Sequence, residues 1–376
     1  MFYIDSLLVK NFRNYRQQQF YFHPRLNIIS GANAQGKTNL LESIYYLSVT
    51  RSFRTNRDQE LANWEDRNFF IQGYFVKDDF KHNVQVGYQQ NGQMKVSING
   101  DTVNRYDHLQ QFPVVVFSPD DLMIIRDGPT TRRRFLNLQA SRLSSAYFKE
   151  LRAYQRVLLQ RNHLLKEVKG NRIKELLEPW DQSLINLGSN IISFRIATID
   201  ALEKEAQVFF SVMTDFKESL KLDYSGIVKE GADLAGTRLN FKEALFQKRD
   251  LELRRGTTAV GPHLDDLRIS INGHDSRKYS SQGQKRTAAL ALKMAEVCLF
   301  IRENGDCPII LLDDVFSEFD DRRKINLLNF LKENAGQCFI STAVGLNDLF
   351  ESFNREYKTF EIKQGSINDE KDRPFN

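Results

Sequence analysis

The pattern of apolar and polar positions over the first hundred residues predicts strands, some as short apolar runs and some alternating with a period of two. Ile4–Val9 and Gln19–Phe22 are short and apolar or aromatic, and Leu26–Ser30 is a buried-type strand running into a glycine-rich turn. Phe69–Val76, Val84–Tyr88 and Lys95–Ile98 alternate, with Asn91-Gly92 and Asn99-Gly100 as turn signals. Val114–Phe117 is a further apolar strand, stopped by Ser118-Pro119. From about Thr130 to Ser211 the period becomes helical, through Leu151, Tyr154, Val157, Leu158 and Leu165, then Leu184, Leu187, Ile191, Phe194 and Leu202. Glu178-Pro179 is expected to break this run. The pattern predicts two or three long antiparallel helices, far too short for a coiled-coil arm. Strands and helices then alternate again: strand Leu267–Ile271, helix Gln284–Arg302, strand Ile309–Leu312, helix Arg322–Glu333 and strand Cys338–Ser341. The polar tail from Gln364 is expected to fray.

A strand-rich start and a strand-helix end around inserted helices predict an α/β domain split in sequence, its first and last thirds sharing a sheet. The expected division is 1–119 with 265–376 for the first lobe and 120–264 for a helical second lobe.

Composition changes this picture little. Of 376 residues 41% are apolar and 27% charged, as in ordinary globular chains. Cys298, Cys307 and Cys338 are unclustered, which disfavours disulfide frameworks and zinc clusters and fits a reducing cytoplasm. Asp5 and Lys10 interrupt the first apolar stretch, so no signal peptide is expected, and no apolar run has the length of a membrane span. Charge adds more. The net +5 conceals a local excess, because Asp121–Glu175 holds 13 Lys and Arg against 5 Asp and Glu. That segment is +8 and the remainder −3, so a polyanionic partner would meet the helical lobe. A solvated helix face is the plain alternative.

The candidate chemistry starts at Gly31-Ala32-Asn33-Ala34-Gln35-Gly36-Lys37-Thr38, a complete G-x-x-x-x-G-K-[ST] between a strand and a helix. The glycines let backbone N–H groups turn toward phosphates, and the helix start adds positive potential. Lys37 is expected at the β- and γ-phosphates of ATP, and Thr38 at Mg²⁺. Pro308-Ile309-Ile310-Leu311-Leu312-Asp313-Asp314 supplies the acidic partner. Asp313 is expected in the metal shell, and Asp314 as the group polarising the attacking water. A third element is Ser281-Gln282-Gly283-Gln284 at a helix start, about 30 residues before the carboxylates. It reads as a second anion-binding helix end, or as a serine cap with a capping box.

These three elements in this order resemble the ATP-binding-cassette ATPases, with Ser317-Glu318-Phe319-Asp320 at the D-loop position. Blocks along almost the whole chain are similar to the RecF family of bacterial recombination-repair proteins. They are L-V-K-N-F-R-N-Y from Leu8, S-F-R-T-N-R from Ser52, F-S-P-D-D from Phe117, R-R-R-F-L from Arg132, G-P-H-L-D-D from Gly261, S-Q-G-Q-K-R from Ser281 and L-L-D-D-V-F-S-E-F-D from Leu311. The resemblance implies an ABC-type ATPase head with a helical lid, and an ATP-driven homodimer in which Ser281 of one copy completes the site of the other. It implies Asn39 at the nucleotide and Arg13 near the base or a phosphate, with an exposed strand residue as the alternative for Arg13. It also implies binding to double-stranded DNA and single-strand/double-strand junctions, action with RecR and RecO in recombinase loading, and links to replication and the SOS response. Arg132, Arg133 and Arg134 would contact DNA phosphates or stabilise the lid. Three features depart from the pattern. Leu264 stands where arginine is common. Asp314 stands where transporter ATPases carry glutamate, which predicts slow hydrolysis. No histidine follows Phe339-Ile340-Ser341-Thr342, leaving Thr342 for part of that switch role. Ser118–Asp121, rather than Gln139, suits the Q-loop. Other readings are a soluble transporter ATPase, which would lack the basic lid, and an SMC-type chromosome protein, which would carry long arms.

Overall fold

The structure is a computed structural model that describes residues 1–63, 65–104, 111–167, 173–228, 231–334, 336–343 and 356–373. The chain begins with strands β1 (Tyr3–Phe12), β2 (Tyr15–Tyr21) and β3 (Leu26–Ser30), helix α1 (Lys37–Val49), and strands β4 (Phe69–Lys77), β5 (Phe80–Tyr88), β6 (Met94–Ile98), β7 (Asp101–Thr102) and β8 (Val114–Phe117). Next come helices α2 (Met123–Arg126), α3 (Pro129–Leu143), α4 (Ser145–Glu167) and α5 (Ile173–Met213), strand β9 (Leu220–Ser225) and helix α6 (Leu234–Arg255). Strands β10 (Asp266–Ile271) and β11 (His274–Asp275) follow, then helices α7 (Ser276–Tyr279) and α8 (Gln282–Asn304). The chain closes with β12 (Ile309–Asp313), α9 (Asp321–Asn334), β13 (Cys338–Thr342), β14 (Tyr357–Lys363) and β15 (Ser366–Arg373).

Two compact units result, one of residues 1–121 with 297–376 and one of residues 122–296. The second boundary therefore falls after Glu296, later than residue 264. Pairing explains the shift: β10 runs antiparallel to β9 from Asp266↔Ser225 to Ile271↔Leu220, which ties the segment after 265 into the second unit.

In the first unit, an antiparallel sheet of order β2-β1-β4-β5-β6-β7 accompanies a second sheet of order β15-β14-β3-β13-β12-β8. Strands β14, β3, β13, β12 and β8 are mutually parallel. Helix α1 packs on strands of both sheets. It is therefore buried on nearly all sides, with Leu40, Leu41, Ile44 and Leu47 completely buried in the same core as Ile4, Ile71, Ile309 and Phe339. Each such side chain contributes roughly 1.5–3 kcal/mol on burial, and together they fix the base of the loop that precedes α1. As far as Arg373, the tail is paired and not frayed. β15 pairs antiparallel with β14, and Gln364 and Gly365 turn between them with φ of 50° and 73°. Two positive φ values make the mirror-image turn that matches strand twist, and Phe360 and Ile362 anchor the hairpin in the core.

In the second unit, α3 to α6 accompany the small sheet β11-β10-β9. Helix α5 continues through Pro179, contrary to the expected break. The proline sits in the second turn, where only one backbone bond is lost. Buried Leu177 and Leu184 on either side hold the helix through it. Arg161, fully buried, joins α4 to α5 and α6 through Asp181 at 2.7 Å and Glu252 at 2.6 Å.

Candidate functional site

Strands β3, β13 and β12 lie side by side and parallel, so their carboxyl ends share one edge of the sheet. Ligand sites of parallel sheets form at such edges. Here the edge brings together the loop after Ser30, Ser341 near the end of β13, and Asp313 at the end of β12.

The loop turns through left-handed backbone at Gly31 (φ 142°), Ala34 (φ 64°) and Gly36 (φ 123°). Gly36 is the N-cap of α1 and supplies no side chain to cap it. The first N–H groups of the helix, at Lys37, Thr38 and Asn39, are thus available to an anion, with the helix dipole behind them. Ala32, Asn33 and Ala34 are exposed, while Lys37 is buried. The Lys37 ammonium donates to the carbonyls of Gly31 at 2.6 Å and Ala32 at 2.9 Å. Burial lowers its pKa from the ordinary lysine value, and the charges of Asp314 and Asp313 act against that fall.

Thr38 Oγ1 donates to Asp313 Oδ1 at 2.8 Å, across 275 residues of sequence. Ser341 Oγ donates to the same carboxylate oxygen at 2.8 Å and accepts the Asp314 N–H at 2.9 Å. Burial pushes the Asp313 carboxyl up, and the hydrogen bonds from Ser341 and Thr38 hold it back. Asp314 takes a left-handed φ of 50°. Ser317 Oγ donates to the Asp314 carbonyl at 2.7 Å. Asp320 caps α9 by accepting the Arg323 N–H at 3.0 Å. Thr342 is buried; the segment after it, where a switch residue would fall, lies outside the described residues from 344 on.

Arg13 faces a carboxylate. Its guanidinium makes a two-pronged pair with Glu42 on α1, at 2.9 and 2.9 Å, and donates to the Glu60 carbonyl at 2.7 Å. Glu42 is fully buried and also receives Ser52 Oγ and Arg54. The neighbours of Arg13 touch the loop instead: Asn14 Nδ2 donates to the Gln35 carbonyl at 2.9 Å, and Tyr15 Oη to the Gly36 carbonyl at 3.0 Å. Asn39 Nδ2 donates to Asn14 Oδ1 at 2.8 Å and Asn39 Oδ1 accepts from Arg54.

In the second unit, Ser281 and Gln284 form a reciprocal capping box at the start of α8. Gln284 N–H donates to Ser281 Oγ at 3.2 Å and Ser281 N–H to Gln284 Oε1 at 2.8 Å. Ser281 and Gln282 are exposed, and Gly283 follows on the first turn. Gln284 Nε2 further donates to Glu218 at 2.5 Å. The three arginines of α3 part company. Arg132 is buried in a two-pronged pair with Asp266 at 2.9 and 2.7 Å, the lid-stabilising alternative. Arg133 donates to the Asp265 carbonyl at 2.9 Å and the Leu264 carbonyl at 3.3 Å. Arg134 is exposed. Gln139 is buried in the second unit, and Ser118 N–H bonds Asp121 Oδ2 at 2.7 Å just beyond β8.

Asn14, Tyr15, Glu42, Ser52, Arg54 and Ser341 escaped the motif reading. Asn14, Tyr15, Ser52 and Arg54 lie in blocks that carried the family resemblance, a signal of place without a role. Ser341 and Glu42 had no signal beyond a polar residue in an otherwise apolar element.

Residues 3–368 match the RecF/RecN/SMC N terminal domain family. The chain is 39% identical to the DNA replication and repair protein RecF of Halothermothrix orenii over 97% of its length and 98% of that protein's. It is 38% identical to the RecF of Halalkalibacterium halodurans over 97% and 99%. Among solved structures, the recombination mediator protein RecF with ATP, of the RecFOR pathway, superposes with a TM-score of 0.89 at 37% identity, covering 98% of this chain and 99% of that one. The Smc head domain of Pyrococcus furiosus shares the fold alone, with a TM-score of 0.58 at 16% identity, covering 100% and 97% of the two chains.

Proposed function

The chain belongs to the RecF family, and from that premise we propose that it is an ATP- and magnesium-dependent DNA-binding protein of recombination repair. Gly31 to Asn39 bind the phosphates of ATP, with Lys37 at the β- and γ-phosphates. Thr38 and Asp313 hold Mg²⁺. Their oxygens, 2.8 Å apart at the end of a parallel strand, are the hard donors that magnesium takes, and water and phosphate fill its other positions. This pairing of two residues far apart in sequence is the observation that carries the reading. Asp314 orients the attacking water, and its carboxylate, one methylene shorter than glutamate, keeps hydrolysis slow, so that bound ATP acts as a switch. Ser281, with Gln282, Gly283 and Gln284, completes the site of a second copy, and Ser317 and Asp320 line the same junction. Two copies joined over two nucleotides hold DNA through backbone phosphates, with Arg134 as the exposed contact on α3. In the cytoplasm the dimer acts with RecR and RecO at gapped and junction DNA, where it promotes recombinase loading.

The reading is tested by DNA binding at several salt concentrations with and without ATP–Mg²⁺. Wild type should bind more tightly with ATP–Mg²⁺ and lose affinity steeply with salt. Lys37→Met should bind no tighter with nucleotide than without. DNA binding indifferent to both nucleotide and salt would refute the proposal.

A further inference from the structure

Two turns distant in sequence grip the phosphate loop from outside. The Gln35 carbonyl accepts Asn14 Nδ2 at 2.9 Å and the Gly365 N–H at 2.9 Å. The Gly36 carbonyl accepts Tyr15 Oη at 3.0 Å and the Leu40 N–H at 2.9 Å. The Gln364 N–H holds Gln35 Oε1 at 2.8 Å. The grip is tight: a Cβ on Gly365 would stand 2.3 Å from the Asn14 carbonyl oxygen. In a trans peptide the C=O of one residue and the N–H of the next point to opposite sides. Holding the carbonyls of Gln35 and Gly36 outward therefore turns the N–H groups of Gly36 and Lys37 the other way, into the loop.

We propose that Asn14, Tyr15 and Gly365 are positioning residues that lock the peptide planes after Gln35 and Gly36 and so aim two N–H donors at the phosphates. The proposal rests on reading the loop as the ATP site. It makes nucleotide affinity depend on the β14–β15 turn, more than 300 residues from the loop. Without the lock, the peptide after Gln35 can rotate and present a carbonyl oxygen to the anion, which repels it, while the peptide after Gly36 keeps its helical bond from Leu40 but loses its second tether.

The test measures ATP and ADP dissociation constants of the full chain by calorimetry. Asn14→Asp keeps the acceptor used by Asn39 but replaces the donor to Gln35 with an oxygen. Tyr15→Phe removes one hydroxyl. Gly365→Ala forces the two turns apart. Asn14→Asp and Gly365→Ala should weaken ATP by about tenfold or more and Tyr15→Phe by about threefold. ADP should weaken in parallel, because these N–H groups serve phosphates common to both nucleotides. Nucleotide-free melting should stay within about 2 °C of wild type for Tyr15→Phe and Asn14→Asp, which separates aiming from unfolding. Lys37→Met is the reference and should lose ATP. If Lys37→Met binds ATP as wild type does, the phosphate-site reading itself fails. If Lys37→Met loses ATP while Asn14→Asp and Tyr15→Phe bind it normally, the positioning role is overturned.

Discussion

Replacing Arg13 with alanine should destabilise the fold and leave the intrinsic nucleotide affinity largely unchanged. The reason is Glu42, whose carboxylate is fully buried and takes two of its hydrogen bonds from Arg13. Removing one partner of a buried ion pair costs about 3–5 kcal/mol, because the remaining charge has no water to replace it. Two features place this case at the low end. The Arg13 side chain is 20% exposed, and Arg54 stays near Glu42 at 3.3 Å. Arg13→Ala should therefore cost about 3 kcal/mol, or about 4 °C in melting temperature for a chain of 376 residues. Glu42→Gln leaves a guanidinium that water can reach and should cost about 1–2 kcal/mol. The double variant Arg13→Ala with Glu42→Gln should lose less than the sum of its singles, by roughly 1–3 kcal/mol, since the buried charge is gone with its partner. The assay is a double-mutant cycle by thermal melting, with ATP affinity measured in parallel. An Arg13→Ala protein that melts like wild type but binds ATP poorly would show Arg13 reading nucleotide, and the structural account would be wrong.

Other substitutions separate the remaining roles. Ser341→Ala strands the Asp314 N–H and strips one donor from Asp313; it should lower the apparent magnesium affinity for ATP turnover by about tenfold, seen as a right-shifted magnesium titration with wild-type plateau DNA binding. Asp265 is buried, which pushes its carboxyl up from 3.8 to about 6 against the hydrogen bond from Tyr224. A carboxyl raised on folding destabilises the native state above its folded pKa, and that penalty fades as pH falls toward the unfolded value. Asp265→Asn should therefore raise the stability near pH 8 by up to about 3 kcal/mol, seen as a higher melting temperature, and the gain should vanish near pH 4; a pH-independent effect would contradict this. Arg134→Ala should lower the salt slope of DNA binding by about one unit, whereas Arg132→Ala should lower stability through loss of its pair with Asp266.

What was legible in the sequence was whatever depends on neighbours along the chain. The strand, loop and helix from Leu26 to Leu47 could be read because glycines at fixed offsets and the apolar run before them act locally. Ile309–Asp313 was legible for the same reason. Pro179 misled because a local breaker was overridden by packing of Leu177 and Leu184. The tail misled because β15 is polar and owes its order to β14, itself unseen, and to a turn that leans on Gln35. Glu42 was invisible: its partners come from 29 residues before and 10 and 12 after, and nothing on its own helix marks it. The boundary after Glu296 escaped because β9, which claims β10, was not recognised as a strand.

The central claim is that the phosphate loop is half of a site, with Ser281 of a second copy as the other half. Solution mass with and without ATP–Mg²⁺ tests it most directly, on wild type, Lys37→Met and Ser281→Arg. The account predicts that wild type doubles its mass with nucleotide, that Lys37→Met binds no ATP and stays monomeric, and that Ser281→Arg binds ATP yet stays monomeric. A Ser281→Arg protein that dimerises with ATP as wild type does would contradict the shared site.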